Sequence, residues 1–320
     1  MGLGVPDGLA VDSLITWPEG KPFAFTIFDD TDRATVENVG PVYEFLADKG
    51  LRTTKSVWPL AGKEAPRIGG STCEDPEYLR WTLNLQAQGF EIGYHLATYH
   101  TSSRDQTLRG LERFQELYGQ FPRSMANHSG CDEGIYWGFD RLTGYRRLLY
   151  KQWMRLHGRG AHRGHRKGDP LFWGDICRDR IEYVRNFQFS DINTLAGCPM
   201  MPYHDPGRPF VNQWFASSEG AEINAFNRCV SEANQDRLEE EGGACIMYTH
   251  LASGFSEDGR VQARFAELMD RLSRRNGWFV PVATLLDYIV EQRGPHELRP
   301  EERRRLEHRW LAGKLKTGPS

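Results

Sequence analysis

Short apolar, β-prone runs alternate with amphipathic helical stretches along most of this chain, and no other feature of the sequence restricts its fold as much. Phe23–Phe28 has the length and composition of a buried strand, and Val39, Val42, Tyr43 and Leu46 follow at helical spacing before Gly50. Thr53–Trp58 returns to strand composition. Pro76 then opens a helix bearing Leu79, Leu83 and Leu85, stopped by Gly89. Phe90–Tyr94, a helix carrying Leu108, Leu111, Phe114 and Leu117, and the run Ser124–Asn127 continue the pattern. It resumes with Cys245–Thr249, a helix lined by Val261, Phe265, Leu268 and Leu272, then Trp278–Val282 and the helix beginning at Leu285–Ile289. Strands separated by helices pair in parallel, so the expected class is α/β, with a sheet either open or closed into a barrel. The stretch from Tyr145 to Glu241 is less regular and reads as an elaboration of that scaffold. The 320 residues are read as one domain, 1–320, with an irregular basic insertion around 141–168 and a helical tail at 298–320.

Composition narrows the alternatives. Hydrophobic residues make up 39% and aromatic residues 12% of the chain, enough to build a core and too much for wholesale disorder. No segment approaches the roughly 18 uninterrupted apolar residues of a bilayer-spanning helix, so an integral membrane protein is not expected. Met1–Trp17 contains Asp7 and Asp12 and does not read as a secretory leader. Cys73, Cys131, Cys177, Cys198, Cys229 and Cys245 are widely spaced, which fits reduced thiols and a cytoplasmic protein.

The net charge of −3 is unevenly spread. No acidic residue lies between Asp140 and Asp169. That interval holds Arg141, Arg146, Arg147, Lys151, Arg155, Arg159, Arg163, Arg166, Lys167 and three histidines. It fits either a solvated loop broken by Gly158, Gly160, Gly164 and Gly168 or an anion-binding strip. Nucleic acid is not an expected partner, because no stacking platform or recognition motif accompanies the charge. Nucleotide-binding glycine loops and the serine-hydrolase elbow are absent too.

In α/β barrels, reactive residues gather just past the carboxyl ends of strands. In this chain those places hold Asp29-Asp30-Thr31-Asp32, His95 with His100, Asn127-His128, and His250. Each alone has an ordinary structural explanation, as a turn, a cap or a hydrogen-bonded core histidine. Together, at one end of the strands, histidine and carboxylate make a common ligand set for zinc and related divalent ions.

These residues carry a resemblance to the polysaccharide deacetylases of carbohydrate esterase family four, the nodulation-deacetylase homology domain. Phe25-Thr-Ile-Phe-Asp29-Asp30 is similar to that family's first motif. Gly89-Phe-Glu-Ile-Gly-Tyr-His95 is similar to the approach to its second, and Ile246-Met-Tyr-Thr-His250-Leu to its last. The resemblance runs from about Phe23 to Ile289. It implies a distorted (β/α) barrel of about seven parallel strands and a metal-dependent hydrolase that removes an acetyl group from an N-acylated sugar in glycan or surface-polysaccharide metabolism. It further implies that Asp29 is the general base, that Asp30, His95 and His100 hold one divalent ion (zinc first, with nickel or cobalt as alternatives), and that His250 is the general acid. Asn127 and His128 fall where substrate-binding residues are expected.

The chain departs from the family pattern in several places. His95 and His100 are five residues apart rather than four, so His128 is an alternative third ligand. Ala126–Gly130 stands where an arginine-containing motif is expected, and the arginine that pairs with the base is missing there. Ser190–Asn193 is the nearest fragment to the fourth motif. Asp32 and Arg33 follow the first motif in place of Gly-Pro and are available to replace part of the lost polar network. The expected partner is an N-acylated carbohydrate, phosphate-bearing or lipid-linked if the basic interval binds it. Two other readings remain: a hydrolase of a non-sugar linear or cyclic amide on the same barrel, and an inactive glycan-binding barrel. Oligomeric state, including a homo-oligomer, is left open by the sequence.

Overall fold

The computed structural model describes residues 15–317 apart from 64, 67 and 159. Asp7 and Asp12, on which the reading of the N-terminus rests, lie outside the described residues, as does Arg159. Seven strands form a ring in which every neighbouring pair is parallel: β1 Ala24–Asp29, β2 Thr54–Val57, β3 Glu91–Tyr94, β4 Ser124–Met125, β5 Tyr183–Phe189, β6 Gln213–Glu219 and β7 Ala244–Thr249. β7 closes the ring on β1 over a six-residue register from Ala24–Ala244 to Asp29–Thr249. The fold is therefore the expected (β/α) barrel. Helices α1 Val36–Asp48, α2 Pro76–Ala87 and α3 Arg104–Tyr118 follow the first three strands. All six residues of β1 are buried, as a strand covered on both faces requires.

The ring is distorted at one seam. β1 meets β2 only at Phe28–Thr54 and Asp29–Lys55, while its first half, Ala24 and Phe25, pairs with Trp278 and Phe279. The expected strand at Trp278–Val282 is thus a two-residue wedge outside the ring.

Two ring strands, β5 and β6, fall within the segment expected to be irregular, and this corrects the sequence reading. Their sequences, Tyr-Val-Arg-Asn-Phe-Gln-Phe and Gln-Trp-Phe-Ala-Ser-Ser-Glu, interleave polar and apolar residues. Arg185, Asn186, Gln188, Ser217 and Ser218 are nevertheless buried; Arg185 is paired with Asp30, Asn186 with Tyr203, Gln188 with Arg141 and Ser218 with Thr194.

The basic interval also folds differently from a loop. Its first half is helix α4, Gly144–Leu156, in which no glycine or proline interrupts residues 145–156 and Arg146, Tyr150 and Met154 form the buried stripe. The interval contains no acids of its own, but acids from elsewhere reach it. Arg146 pairs with Glu307, Arg147 and Arg166 with Asp140, and Arg163 with Asp132. The Arg141 guanidinium lies 3.4 Å from the Trp137 ring and 4.9 Å from that of Trp310. The C-terminal helix Pro300–Thr317 packs on this region: the Trp310 ring meets Tyr150 at 5.1 Å and Phe187 at 5.5 Å. All six cysteines are buried and unpaired. No helix of the described residues is long and apolar enough to cross a membrane.

The glycine-rich second half of the interval is anchored by His162, whose Nδ1 donates to the Cys131 carbonyl at 2.9 Å. Burial pushes this imidazole down to about 4 from an ordinary value of 6.5, outweighing that hydrogen bond. Between those two values the unfolded chain binds the proton and the folded chain does not, so stability falls as pH drops from 6.5 and levels off below 4. The full span corresponds to about 3 kcal/mol. Urea midpoints measured across this range should fall less steeply for His162→Gln than for the unaltered protein.

Candidate metal centre and active-site pocket

Successive side chains of a strand point to opposite faces, and the end of β1 turns this rule into a division of labour. Asp29 faces outward, where its carboxylate meets Lys55 Nζ at 2.9 Å and accepts hydrogen bonds from Tyr43 Oη at 3.0 Å and the Leu251 N–H at 2.8 Å. Asp30 faces across the barrel and is gripped by Arg185 of β5 through both oxygens, at 2.8 and 2.6 Å. The chain then turns at Arg33, with φ of 62°, after placing Asp32; Leu96 turns likewise, with φ of 70°, directly after His95. Left-handed φ at non-glycine residues is strained backbone that the surrounding structure must hold in place.

Asp32, His95 and His128, supplied by the loops after β1, β3 and β4, converge on one point. Asp32 Oδ1 is 3.2 Å from His95 Nε2 and 3.0 Å from His128 Nδ1, and the two nitrogens are 3.2 Å apart. Three ligands about 2.0–2.2 Å from a tetrahedral ion stand about 3.3–3.6 Å from one another, so this triangle is close to the size a small divalent cation demands. Asp32 Oδ1 is buried yet has no hydrogen-bond partner of good geometry, a costly state for a carboxylate unless a cation takes up the lone pair. Burial favours the neutral form of His95, outweighing Asp30 and Asp32, and leaves its ring a ligand rather than a cation. Burial works to raise the Asp32 carboxyl, but His128, His250 and His95 hold it well below the usual carboxylate range.

The opposite bias operates at His250. Its Nδ1 donates to the Ala221 carbonyl at 2.8 Å, which aims Nε2 toward Asp32 Oδ2 at 3.5 Å. Burial works against the imidazolium, but the hydrogen bond to Asp32 and the charges of Asp30 and Asp32 override it and lift the ring above its ordinary value. A histidine biased toward its neutral form and one biased toward the imidazolium therefore flank the same carboxylate. Above them lies a cavity of about 210 Å3, walled by Trp137, Gln188, Glu219, Tyr248 and Lys314 as well as by these groups.

The sequence-derived candidates separate here. Asp30, His95, His128, Asn127 and His250 line the cavity. Asp29 does not; it is fully buried in its ion pair with Lys55. His100 is not in the converging group either: its Nε2 accepts from the Lys63 N–H at 3.0 Å, and its ring packs on Tyr99, which in turn packs on Trp58. Asn127 braces the loop after β4, accepting from the Ile135 N–H at 2.7 Å and donating to its carbonyl. Sequence reasoning missed Arg185 and gave Asp32 only a supporting part. Arg185 carried no signal that could be read, because β5 itself was not legible and its acidic partner Asp30 lies 155 residues away.

Comparison with known proteins adds the following. No family model matches this sequence, and no curated protein matches it. Among solved structures, a Mycobacterium smegmatis protein assigned as a polysaccharide deacetylase superposes with a TM-score of 0.50 at 14% identity, over 89% of this chain and 97% of its own. The fold is shared with that deacetylase. A Pseudomonas aeruginosa protein assigned as a polysaccharide deacetylase gives 0.49 at 13% identity, covering 87% of this chain and 94% of its own. The allantoinase PuuE gives 0.49 at 12%, covering 91% and 99%.

Proposed function

We propose that this protein is a metal-dependent hydrolase that removes an acyl group, acetyl in the first instance, from an N-acylated sugar. The observation that carries the reading is the Asp32–His95–His128 triangle beside an arginine-held carboxylate and His250, whose Nε2 is 3.5 Å from Asp32 Oδ2. Asp32, His95 and His128 would hold the ion, in place of the expected Asp30, His95 and His100: Asp32 stands two residues past Asp30, and His128 comes from the loop after β4 rather than the one after β3. When bound, a divalent ion acidifies water and polarises an amide carbonyl. Asp30 then has the place of the general base: Arg185 fixes both its oxygens, so its direction is set before substrate arrives. His250, whose Nδ1 is held by the Ala221 carbonyl and whose Nε2 is left toward the cavity, has the place of the general acid that, when protonated there, delivers a proton to the leaving amine. The residual wall of Trp137, Gln188 and Tyr248 offers an aromatic face and hydrogen-bonding groups for a single small ring, and a cavity near 210 Å3 suits one ring better than several.

The test is acyl release from a panel of N-acetyl and N-formyl sugars by protein loaded with zinc, nickel or cobalt, beside Asp30→Asn. The variant is expected to keep its ion and lose about 100- to 10,000-fold in rate. Full metal occupancy with no acyl release from any sugar would overturn the sugar reading and direct the assay to linear and cyclic non-sugar amides. Unchanged turnover in Asp30→Asn would remove Asp30 from the base position.

A further inference from the structure

Helix α4 keeps one face out of the protein, and apart from Gln152 the centre of that face is made of large apolar side chains. Tyr145, Leu148, Leu149 and Leu156 are 58, 63, 62 and 84% exposed, and their spacing of three, four and eleven residues from Tyr145 places them on one side of the helix. Arg146, Tyr150 and Met154 occupy the buried side. An isolated exposed leucine is ordinary, but three on one short helix beside a tyrosine form a patch that marks an interaction surface. The same helix carries Arg146, Arg147, Lys151 and Arg155 and no acidic residue. Around it, the eight described cations of the interval meet only four carboxylates: Asp132, Asp140, Asp169 and Glu307. Lys151 and exposed Arg155 border the patch along one edge, while Arg146 and Arg147 are held by Glu307 and Asp140.

We propose that α4 is an interfacial helix that seats Tyr145, Leu148, Leu149 and Leu156 in the headgroup–acyl boundary of an anionic lipid surface. An apolar face flanked by lysine and arginine is the pattern that lies in such a boundary, with the leucines supplying burial and the cations attraction to anionic headgroups. Pairing with a second copy of the chain is disfavoured by charge, since a two-fold contact would set this cationic helix against itself. The position has a consequence for the pocket. α4 packs through Tyr150 on Trp310, and one turn further along that same helix Lys314 lines the cavity. A chain docked through α4 is therefore linked to the cavity wall through the Tyr150–Trp310 contact and Lys314.

Co-sedimentation of the full chain with vesicles of phosphatidylcholine and phosphatidylglycerol, and with phosphatidylcholine alone, tests this without recourse to activity. Binding to the anionic vesicles is expected, weakening as salt is raised. The double variant Leu148→Glu, Leu149→Glu should bind roughly tenfold more weakly or worse, and Arg155→Glu should weaken binding to anionic vesicles by a smaller factor. Thermal melts of these surface variants should match the unaltered protein and show that they fold. Absence of binding to anionic vesicles overturns the proposal. So does a dimer in solution that the double variant dissolves, which would give the face to a second copy. Neither outcome bears on acyl release, which tests the hydrolase reading separately.

Discussion

His128→Ala is expected to strip the bound ion and bring acyl release to background, while His100→Ala leaves both unchanged. His128 Nδ1 stands 3.0 Å from Asp32 Oδ1 and 3.2 Å from His95 Nε2, one corner of a three-ligand triangle. Loss of an outer partner that merely orients a ligand costs about 10- to 100-fold in metal affinity, so removing a ligand should cost at least about a hundredfold. His100 spends its Nε2 on the backbone of Lys63 and stands apart from the converging group. Metal content by elemental analysis, with a competition titration against a chelator, reads both variants. A full complement of metal in His128→Ala, or its loss in His100→Ala, would show that the ligand set is another one.

Asp29→Ala is expected to be the most destabilising single change in this region, at about 3–5 kcal/mol, the range for leaving a buried charge without its partner. That is a large share of the roughly 5–15 kcal/mol by which domains are stable. Lys55 and Asp29 have no exposed side-chain surface. Burial alone would discharge the ammonium, but Asp29 beside it overrides burial and holds Lys55 above its ordinary range. Removing Asp29 also orphans the Leu251 N–H and the Tyr43 hydroxyl. Replacing both partners with apolar residues, as Asp29→Leu with Lys55→Met, should recover much of the loss. Urea denaturation measures both, and a loss under 1 kcal/mol for the single variant would contradict this account. The milder Asp29→Asn separates structure from chemistry: the folded fraction should retain turnover, whereas a base at Asp29 would lose it.

The sequence alone determined the α/β class, because strand and helix composition alternate from Phe23 to Ile289 and local pattern suffices to read them. It also placed Asp30, His95, His128 and His250 just past the ends of strands, and all four line one cavity. β5 and β6 were not legible. Their buried polar residues look like loop composition until the folded chain brings distant partners to them, as Asp30 to Arg185, Arg141 to Gln188 and Thr194 to Ser218. The cations of the basic interval looked free because their carboxylates, Asp132, Asp140 and Glu307, lie outside it, Glu307 by more than 130 residues.

Only the tertiary structure decided the roles around the first motif. Adjacent carboxylates are equivalent in sequence, and which of them faces the cavity depends on the pleat of β1 and on what stands opposite. Lys55 on the neighbouring strand takes Asp29, and Arg185, 155 residues away across the barrel, takes Asp30. Asp32 and His128 meet His95 because two left-handed turns, at Arg33 and Leu96, redirect the chain just past the residues they position. Such turns at non-glycine residues are set by the surrounding packing rather than by local propensity, so the resemblance pointed to His100 and left His128 as an alternative, while in space it is His128 that converges with Asp32 and His95.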